Sequence, residues 1–153
     1  MSRAFVKETD ADAAALPARP VSPHPNLVTL EGLAAIEGEV ARYHAAHAAA
    51  VAAADKPAIA AAARELRYWS ARRASAQLAE PPADNSRVTF GATVTVQRQD
   101  GRTQTFRIVG EDEAAPAQGT LSHVSPLARA LFGKAAGACV EIAGGEVEIL
   151  AIG

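Results

Sequence analysis

Residues 86–110 read SRVTFGATVTVQRQDGRTQTFRIVG, and this stretch decides the fold of the C-terminal half of the chain. Apolar and polar residues alternate along residues 92–98 and again along residues 103–109. A period of two places successive side chains on opposite faces of a strand. Asp100-Gly101, between the two runs, is a strong hairpin-turn signal. The stretch therefore predicts an antiparallel β-hairpin.

The residues that follow predict three more strands and one short helix. Strands are expected at residues 120–124, 138–142 and 146–152, with Gly144-Gly145 as the turn between the last two. Ser125-Pro126 combines an N-cap residue with proline at the first helical position, so a helix is expected over residues 126–132. The fold class is thus α+β, with a small antiparallel β domain covered by one helix.

Upstream, the spacing of apolar residues predicts two helices. Thr29 is a candidate N-cap, and helix-forming residues continue from there to Ala54. Asp55-Lys56-Pro57 interrupts the run, because proline suits the first turn of a helix but not its interior. On both sides of the break, seam positions recur at intervals of three and four, as in an antiparallel helical hairpin or coiled coil. These positions are Leu33, Ile36, Val40, Tyr43, His47, Ala50 and Ala54, then Ile59, Ala62, Leu66, Trp69, Arg73 and Ala76.

Proline positions divide the chain into domains. Prolines at positions 17, 20, 23 and 25 deny the N-terminal segment regular helix or interior strand, so an extended arm that can lie along another surface is expected. Prolines and short polar residues also indicate a linker before the β domain. The expected organisation is an arm (residues 1–28), a helical hairpin (29–79), a linker (80–86) and a C-terminal domain (87–153).

Composition limits the classes of function. The net charge of −2 argues against a protein that coats nucleic acid, because sequence-independent binding depends on many Lys or Arg contacts with phosphates. Cys139 is the single cysteine, which excludes an intrachain disulfide, and its thiol is expected to be buried as a small hydrophobe. No run approaches the roughly 20 apolar residues of a membrane span, so a cytoplasmic protein without membrane contact is expected.

Three residue groups are candidates for chemical sites. His44 and His47 lie three residues apart on one helical face, but a third metal ligand is not evident, so seam packing by His47 and exposure of His44 are expected instead. Ser125 lacks the flanking glycines of a nucleophile elbow, and helix capping is its expected role. The acidic run at residues 111–113 is expected to be solvated surface, with a partner's basic patch or a weakly held cation as alternatives.

Helix two is basic, whereas helix one is acidic. Two interpretations stay open: the helices balance each other's charge along solvated flanks, or helix two presents a basic face to a partner. The residues of that candidate face are Arg64, Arg67, Tyr68 and Arg72. Trp69 falls on the seam, where core packing is its expected role.

Four segments carry a likeness to a known family. They read SRVTFGATVTV (residues 86–96), IVGEDEA (108–114), SPLARAL followed by GK (125–134) and GGEVEI (144–149). In this order they closely resemble the C-terminal domain of the bacterial GreA/GreB family of transcription elongation factors. The resemblance covers nearly all of the C-terminal half, while the N-terminal hairpin matches in architecture more than in residues.

The resemblance implies a fold, a partner and a docking surface. The implied fold is FKBP-like, without prolyl isomerase activity. In the family, the C-terminal domain docks at the rim of the RNA polymerase secondary channel and the coiled coil enters the channel. By position, the implied polymerase-binding residues are His123, Val124, Ser125, Pro126 and Arg129. A monomer is expected, with nucleic acid contacted only through the transcription complex.

The hairpin tip departs from the family pattern. Active Gre factors carry an acidic tip that holds a catalytic magnesium ion, whereas the tip here is Asp55, Lys56 and Pro57. Each helix also looks some two turns shorter than is usual in the family, which at about 5.4 Å per turn leaves the tip roughly 10 Å short of its usual reach. Rnk-like relatives combine a short hairpin with the same domain.

The expectation that follows is a polymerase-binding regulator that is not an enzyme, needs no cofactor and does not stimulate transcript cleavage. One alternative is a weakly active cleavage factor in which Asp55, with Glu65 further along helix two, recruits the magnesium of the polymerase active centre. A second alternative is a general protein-interaction module of FKBP-like fold, unconnected to polymerase.

Overall fold

The computed structural model describes residues 16–153, which divide into two compact units. One unit contains residues 16–23 and 34–75, and the other contains residues 24–33 and 76–153. The first half of the expected N-terminal arm, residues 1–15, lies outside the described residues. Among residues 16–153, no helix combines the length and the apolarity needed to cross a bilayer.

Two long helices form the predicted hairpin. Helix α1 spans Leu30–Ala52 and helix α2 spans Lys56–Ser75. Thr29 caps α1 as expected, because its Oγ1 accepts a hydrogen bond from the Gly32 N–H at 3.0 Å. Asp55 caps α2 in the same way, accepting from the Ala58 N–H at 3.2 Å. The break predicted at Asp55-Lys56-Pro57 is therefore confirmed.

Few positions of the hairpin seam are fully buried, and most of those are alanines. Ile36, Ala50 and Ala62 are buried as the spacing predicts, and most other seam residues are half-buried. Two predicted seam positions near the ends of the helices are exposed, so their assignment to the seam was wrong. Ala54 lies in the turn beyond α1, with a φ of 53°, and Arg73 falls in the last turn of α2. Buried alanines and half-buried larger side chains remove less apolar area from water than a fully buried core does, so this hairpin gains modest stability from packing.

The C-terminal unit is a five-stranded sheet with one helix. Its strands are β3 (Thr93–Arg98), β4 (Thr103–Val109), β5 (Thr120–Ser122), β6 (Cys139–Ile142) and β7 (Gly145–Ile152), in the order β5-β4-β3-β7-β6. Helix α3, Pro126–Leu131, buries Leu127, Ala128 and Leu131 against the alternating apolar residues of the strands. The α+β fold class is confirmed.

One strand pairing differs from the antiparallel expectation. β5 pairs with β4 in parallel, with Arg107 opposite Thr120 and Val109 opposite Ser122. The chain between these strands makes two short 3₁₀ turns, at Glu111–Glu113 and Pro116–Gln118, and so returns in the same direction. The sheet is therefore mixed, because strand direction depends on a crossover that period-two alternation does not encode.

A second, two-stranded sheet was not predicted. β1 (Leu27–Val28) and β2 (Gln77–Leu78) pair in parallel within the C-terminal unit. The Gln77 N–H donates to the Asn26 carbonyl at 2.8 Å, and the Ala79 N–H donates to the Val28 carbonyl at 3.0 Å. Strands of two residues are too short to give a periodic signal.

The prediction for Cys139 was wrong. Its side chain is exposed at the start of β6, while Val140, the next residue, faces the core. Alternation along a strand explains the difference, because only one of two neighbouring residues can point inward.

Candidate functional site

The predicted docking surface begins at the N-terminus of α3. Ser125 is the N-cap, and its hydroxyl accepts a hydrogen bond from the Ala128 N–H at 3.2 Å, as the sequence suggested. Pro126 occupies the first helical position, where its missing N–H costs nothing. The start of α3 is therefore held in a defined geometry, and the Pro126 ring is exposed.

An open groove of about 440 Å³ lies beside this helix start. Its apolar walls come from β4, β5, α3 and the turn after β6, and its rim is polar at Arg98 and Gln104. The Arg98 Nε donates to the Gln104 Oε1 at 2.8 Å, which holds the guanidinium across the sheet. The apolar residues of the groove include Phe106, Leu121, Pro126, Leu127 and Ile142.

The five predicted docking residues do not share one surface. Pro126 and Arg129 are exposed, and Arg129 Nη2 lies 3.5 Å from Nε2 of His24. Val124 and Ser125 are half-buried. His123 is 8% exposed and its ring meets that of Phe90 edge-on, with centroids 5.5 Å apart. His123 is thus a packing residue behind the surface, and its prediction as a contact residue is corrected.

The acidic run at residues 111–113 is not simply solvated surface. The Glu113 carboxylate accepts hydrogen bonds from the Thr29 N–H at 3.1 Å, from the Thr29 hydroxyl and from the Gly110 N–H at 3.1 Å. It therefore sits at the N-terminus of α1, where the helix dipole favours a negative charge. A Cβ at Gly32 would overlap the Glu113 side chain, so glycine is required for this approach.

The hydrogen bonds that Glu113 accepts from Thr29 and Gly110 form a cluster, the Glu113 clamp. Sequence reasoning missed it because Thr29 and Glu113 are 84 positions apart. A neighbouring ion pair joins the same two regions, with Arg107 Nη2 at 3.6 Å from Glu31 Oε2. The pKa of Glu31 is lowered, first by its own backbone N–H and then by the charge of Arg107. The local signals were the N-cap candidate Thr29, the acidic first turn of α1 and the acidic run at residues 111–113, none of which indicates their pairing.

The hairpin tip carries one carboxylate. Asp55, Lys56 and Pro57 are all exposed, and one Asp55 oxygen is engaged in capping α2. Glu65 lies about 15 Å further along the helix at 1.5 Å per residue. Its own carboxylate is held by Arg19 at 2.6 Å. The structure therefore does not bring Asp55 and Glu65 together.

The candidate basic face of α2 is partly covered. Arg67 is exposed, but Arg64 Nε donates to the Pro17 carbonyl at 2.8 Å, and Arg19 lies over the Tyr68 ring. Arg72 is 1% exposed, so it does not present its guanidinium to a partner and is removed from the predicted face. A buried guanidinium persists only where neighbouring groups compensate its charge.

The histidines of α1 do not form a metal centre with other described residues. His44 is exposed and His47 half-buried, as the sequence suggested. Within residues 16–153, no group of three or more His, Cys, Asp or Glu side chains is placed to share a metal ion.

The known proteins to which this chain is similar fall in one family. The sequence model for "Transcription elongation factor, GreA/GreB, C-term" matches residues 83–153. GreA of Hyphomonas neptunium is 54% identical over 59 residues, covering 38% of each chain. GreA of Alkalilimnicola ehrlichii is 48% identical over 79 residues, covering 48% of this chain and 50% of the relative. GreB of Haemophilus influenzae is 42% identical over 72 residues, covering 46% of each.

The chain thus spans about half the length, or less, of the curated relatives it matches. Among solved structures, GreA factor homolog 1 of Thermus thermophilus is 16% identical, covering 85% of this chain and 99% of that one, with a TM-score of 0.40. The GreA/GreB protein of Nitrosomonas europaea is 14% identical, covering 84% and 98%, with a TM-score of 0.40.

Proposed function

We propose that this chain, whose residues 83–153 match the GreA/GreB C-terminal domain, is a transcription factor of the GreA/GreB family and binds RNA polymerase. Its C-terminal domain docks at the rim of the secondary channel, and its hairpin enters the channel without stimulating transcript cleavage. The protein acts as a monomeric regulator in the cytoplasm, touches nucleic acid only through the transcription complex and is itself no enzyme. The curated relatives are matched over about half their length, so the partner and the activity are proposals.

The docking proposal is supported by the surface around α3. An apolar groove of about 440 Å³ ends at the exposed ring of Pro126, and Arg129 adds an exposed positive charge one turn further along the helix. Interface anchors are typically side chains inserted in desolvated pockets, with charged residues at the rim. The groove suits an apolar side chain of polymerase, with an acidic group facing Arg129.

The proposal that the hairpin does not stimulate transcript cleavage is supported by the chemistry of its tip. Magnesium takes oxygen ligands, and two-metal hydrolysis of a phosphodiester requires carboxylates that hold the ion and position water. The described tip offers Asp55 alone, with one of its oxygens accepting the Ala58 N–H and Lys56 beside it. Such a tip occupies space in a channel but is poorly suited to recruiting an ion.

Weak magnesium recruitment by Asp55 is the second candidate function, favoured by the exposure of that residue at the extreme end of the hairpin. Glu65 does not assist it in this conformation, since Arg19 pairs with its carboxylate.

The experiment uses stalled elongation complexes of the cognate polymerase with magnesium. The protein is added alone, and then in competition with an active Gre factor from the same organism. We expect no shortening of the transcript by the protein alone, and inhibition of the active factor in proportion to concentration. Transcript shortening that is lost in Asp55→Asn establishes the second candidate instead. No binding to polymerase in either format contradicts both and leaves a general interaction module.

A further inference from the structure

The described part of the N-terminal arm, residues 16–23, lies against helix α2. Arg64 Nε donates to the Pro17 carbonyl at 2.8 Å, and Arg19 Nη1 pairs with Glu65 Oε2 at 2.6 Å. Prolines flank Arg19 at positions 17 and 20, which keeps this stretch extended and presents the arginine to the helix. The arm is therefore seated by polar contacts with two successive residues of α2.

Arg19 also covers aromatic surface. Its guanidinium carbon lies 3.7 Å from the centre of the Tyr68 ring and 5.7 Å from that of Trp69. The two rings are themselves edge-on, 5.0 Å apart. A guanidinium that stacks on an aromatic face while pairing with a carboxylate gains from both interactions. Arg19 is thus the principal contact of the arm on this face.

The contact of the arm with α2, called the arm seat below, resembles a reversible surface contact and not a hydrophobic core. Leu16 and Val21, the large apolar residues of the described arm, are 42% and 46% exposed. The side chains of Arg19 and Glu65 keep 30% and 23% of their exposure. Partly exposed ion pairs and cation–π contacts contribute little each, so the bound and released arm differ modestly in free energy.

The covered residues are ones that a partner would use. Tyr68 and Trp69 are of the residue types enriched among interface hot spots, and Glu65 adds a charge beside them. Arg64 faces the same strip and is tied to the arm backbone. In this position Arg19 occupies the Glu65 carboxylate and the face of the Tyr68 ring, which another protein would otherwise contact.

We propose that the arm is an intramolecular competitor of RNA polymerase, in which Arg19 latches the arm over the Glu65–Tyr68–Trp69 strip of α2. Polymerase binds the strip only after Arg19 is released. The inference rests on the proposed function, because polymerase is the competing partner. When a binding-competent state is only partly populated, the apparent affinity falls by that fraction, so the latch lowers polymerase affinity.

The test compares Arg19→Ala with Arg42→Ala in the full chain. Arg42 is a matched control, because it also pairs with a glutamate, Glu39 at 3.5 Å, and lies 5.0 Å from an aromatic ring, that of Tyr43. Those contacts lie within α1 and do not involve the arm. Trp69 is the sole tryptophan, so its emission and its quenching by acrylamide report directly on the seat. Affinity for cognate polymerase is measured on the same samples.

We expect Arg19→Ala to make Trp69 more accessible to acrylamide and to tighten polymerase binding by up to about tenfold, the effect of losing contacts of this strength. Arg42→Ala should change neither readout. The latch is refuted if Arg19→Ala leaves Trp69 quenching unchanged, or if it frees Trp69 while polymerase affinity stays equal or falls. Absence of polymerase binding by wild type and both variants instead refutes the proposed function, and the latch with it.

Discussion

Arg129 is the charged residue best placed to test the docking proposal. It is exposed one turn into α3, beside the apolar groove, and its guanidinium approaches the His24 ring at 3.5 Å. Rim charges act mainly on association rate and on salt dependence, because solvent screens them.

Arg129→Glu should therefore weaken binding to cognate polymerase by about three- to tenfold and flatten its dependence on salt. Arg102→Glu is the control, since Arg102 is also exposed but pairs with Asp100 within the β3–β4 turn. Binding to polymerase is measured for both variants at two salt concentrations. Equal losses in both variants would mean that net charge matters and the α3 surface does not.

Cys139 shows how a neighbouring carboxylate controls a thiol. The residue is exposed at the start of β6, and a hydrogen bond to Glu146 is the main reason that its pKa is raised, with burial and the charges of Glu146 and Glu148 adding to the effect. A raised pKa reduces the fraction of reactive thiolate at neutral pH. Exposure alone therefore does not make this cysteine reactive.

Glu146→Gln should lower the pKa of the Cys139 thiol and accelerate its alkylation by iodoacetamide several-fold near neutral pH. The rate of both proteins should rise with pH, with the midpoint for wild type at the higher pH. Glu141→Gln, on the same strand as Cys139, should behave as wild type because Glu141 is not among the groups that shift the pKa of Cys139. Identical pH–rate profiles for wild type and Glu146→Gln would show that the carboxylate does not govern the thiol.

The N-terminus of α1 depends on the clamp made by Glu113. One carboxylate there accepts the Thr29 N–H, the Thr29 hydroxyl and the Gly110 N–H, which would otherwise need water or other partners. Gly32 leaves room for that side chain, whereas a methyl group at Gly38, one and a half turns later, would meet no other atom within 4 Å. Gly32 is therefore needed for the approach of Glu113, whereas no contact requires glycine at position 38.

Gly32→Ala should lower the free energy of unfolding by about 1–3 kcal/mol, because the added methyl group displaces Glu113 and leaves its donors unsatisfied. Gly38→Ala should raise it by up to about 1 kcal/mol through helix propensity. Denaturation followed by circular dichroism measures both.

A Glu113→Ala background separates the clash from other effects of the glycine. In that background Gly32→Ala should no longer be destabilising, since the coupling between contacting residues is removed. An unchanged cost would place the origin of the Gly32 requirement elsewhere than in Glu113.

Sequence patterns predicted elements well where the signal was local. The bounds of β4, the caps at Thr29 and Ser125 and the helix break at residues 55–57 follow from alternation, capping chemistry and proline placement within a few residues. The parallel direction of β5 and the Glu113 clamp could not be predicted, because they depend on residues far apart in sequence. The seat of Arg19 on Glu65 was missed for the same reason, although the flanking prolines indicated an extended arm.

The two units differ in how much apolar surface they bury. The C-terminal unit has a continuous core of large aliphatic residues, including Val94, Ile108 and Ile149, which are fully buried. Among the described residues of the hairpin unit, the buried apolar side chains are Ile36 and the alanines at positions 50, 60 and 62. Each buried methylene contributes about 0.8 kcal/mol, so a seam whose fully buried residues are mostly alanines supplies less stabilisation per residue.

Native-state hydrogen exchange on the full chain should therefore resolve two levels of protection. Amides of β3, β4 and β7 should exchange only through global opening of their unit, whereas amides of α2 and of α1 beyond residue 34 should exchange through openings of lower free energy. Ala62→Leu would overfill the hairpin seam and lower its protection further, while leaving the strand amides unchanged. Uniform protection across helices and strands would contradict this, and would mean that the hairpin draws its stability from cooperative folding with the sheet and not from its own seam.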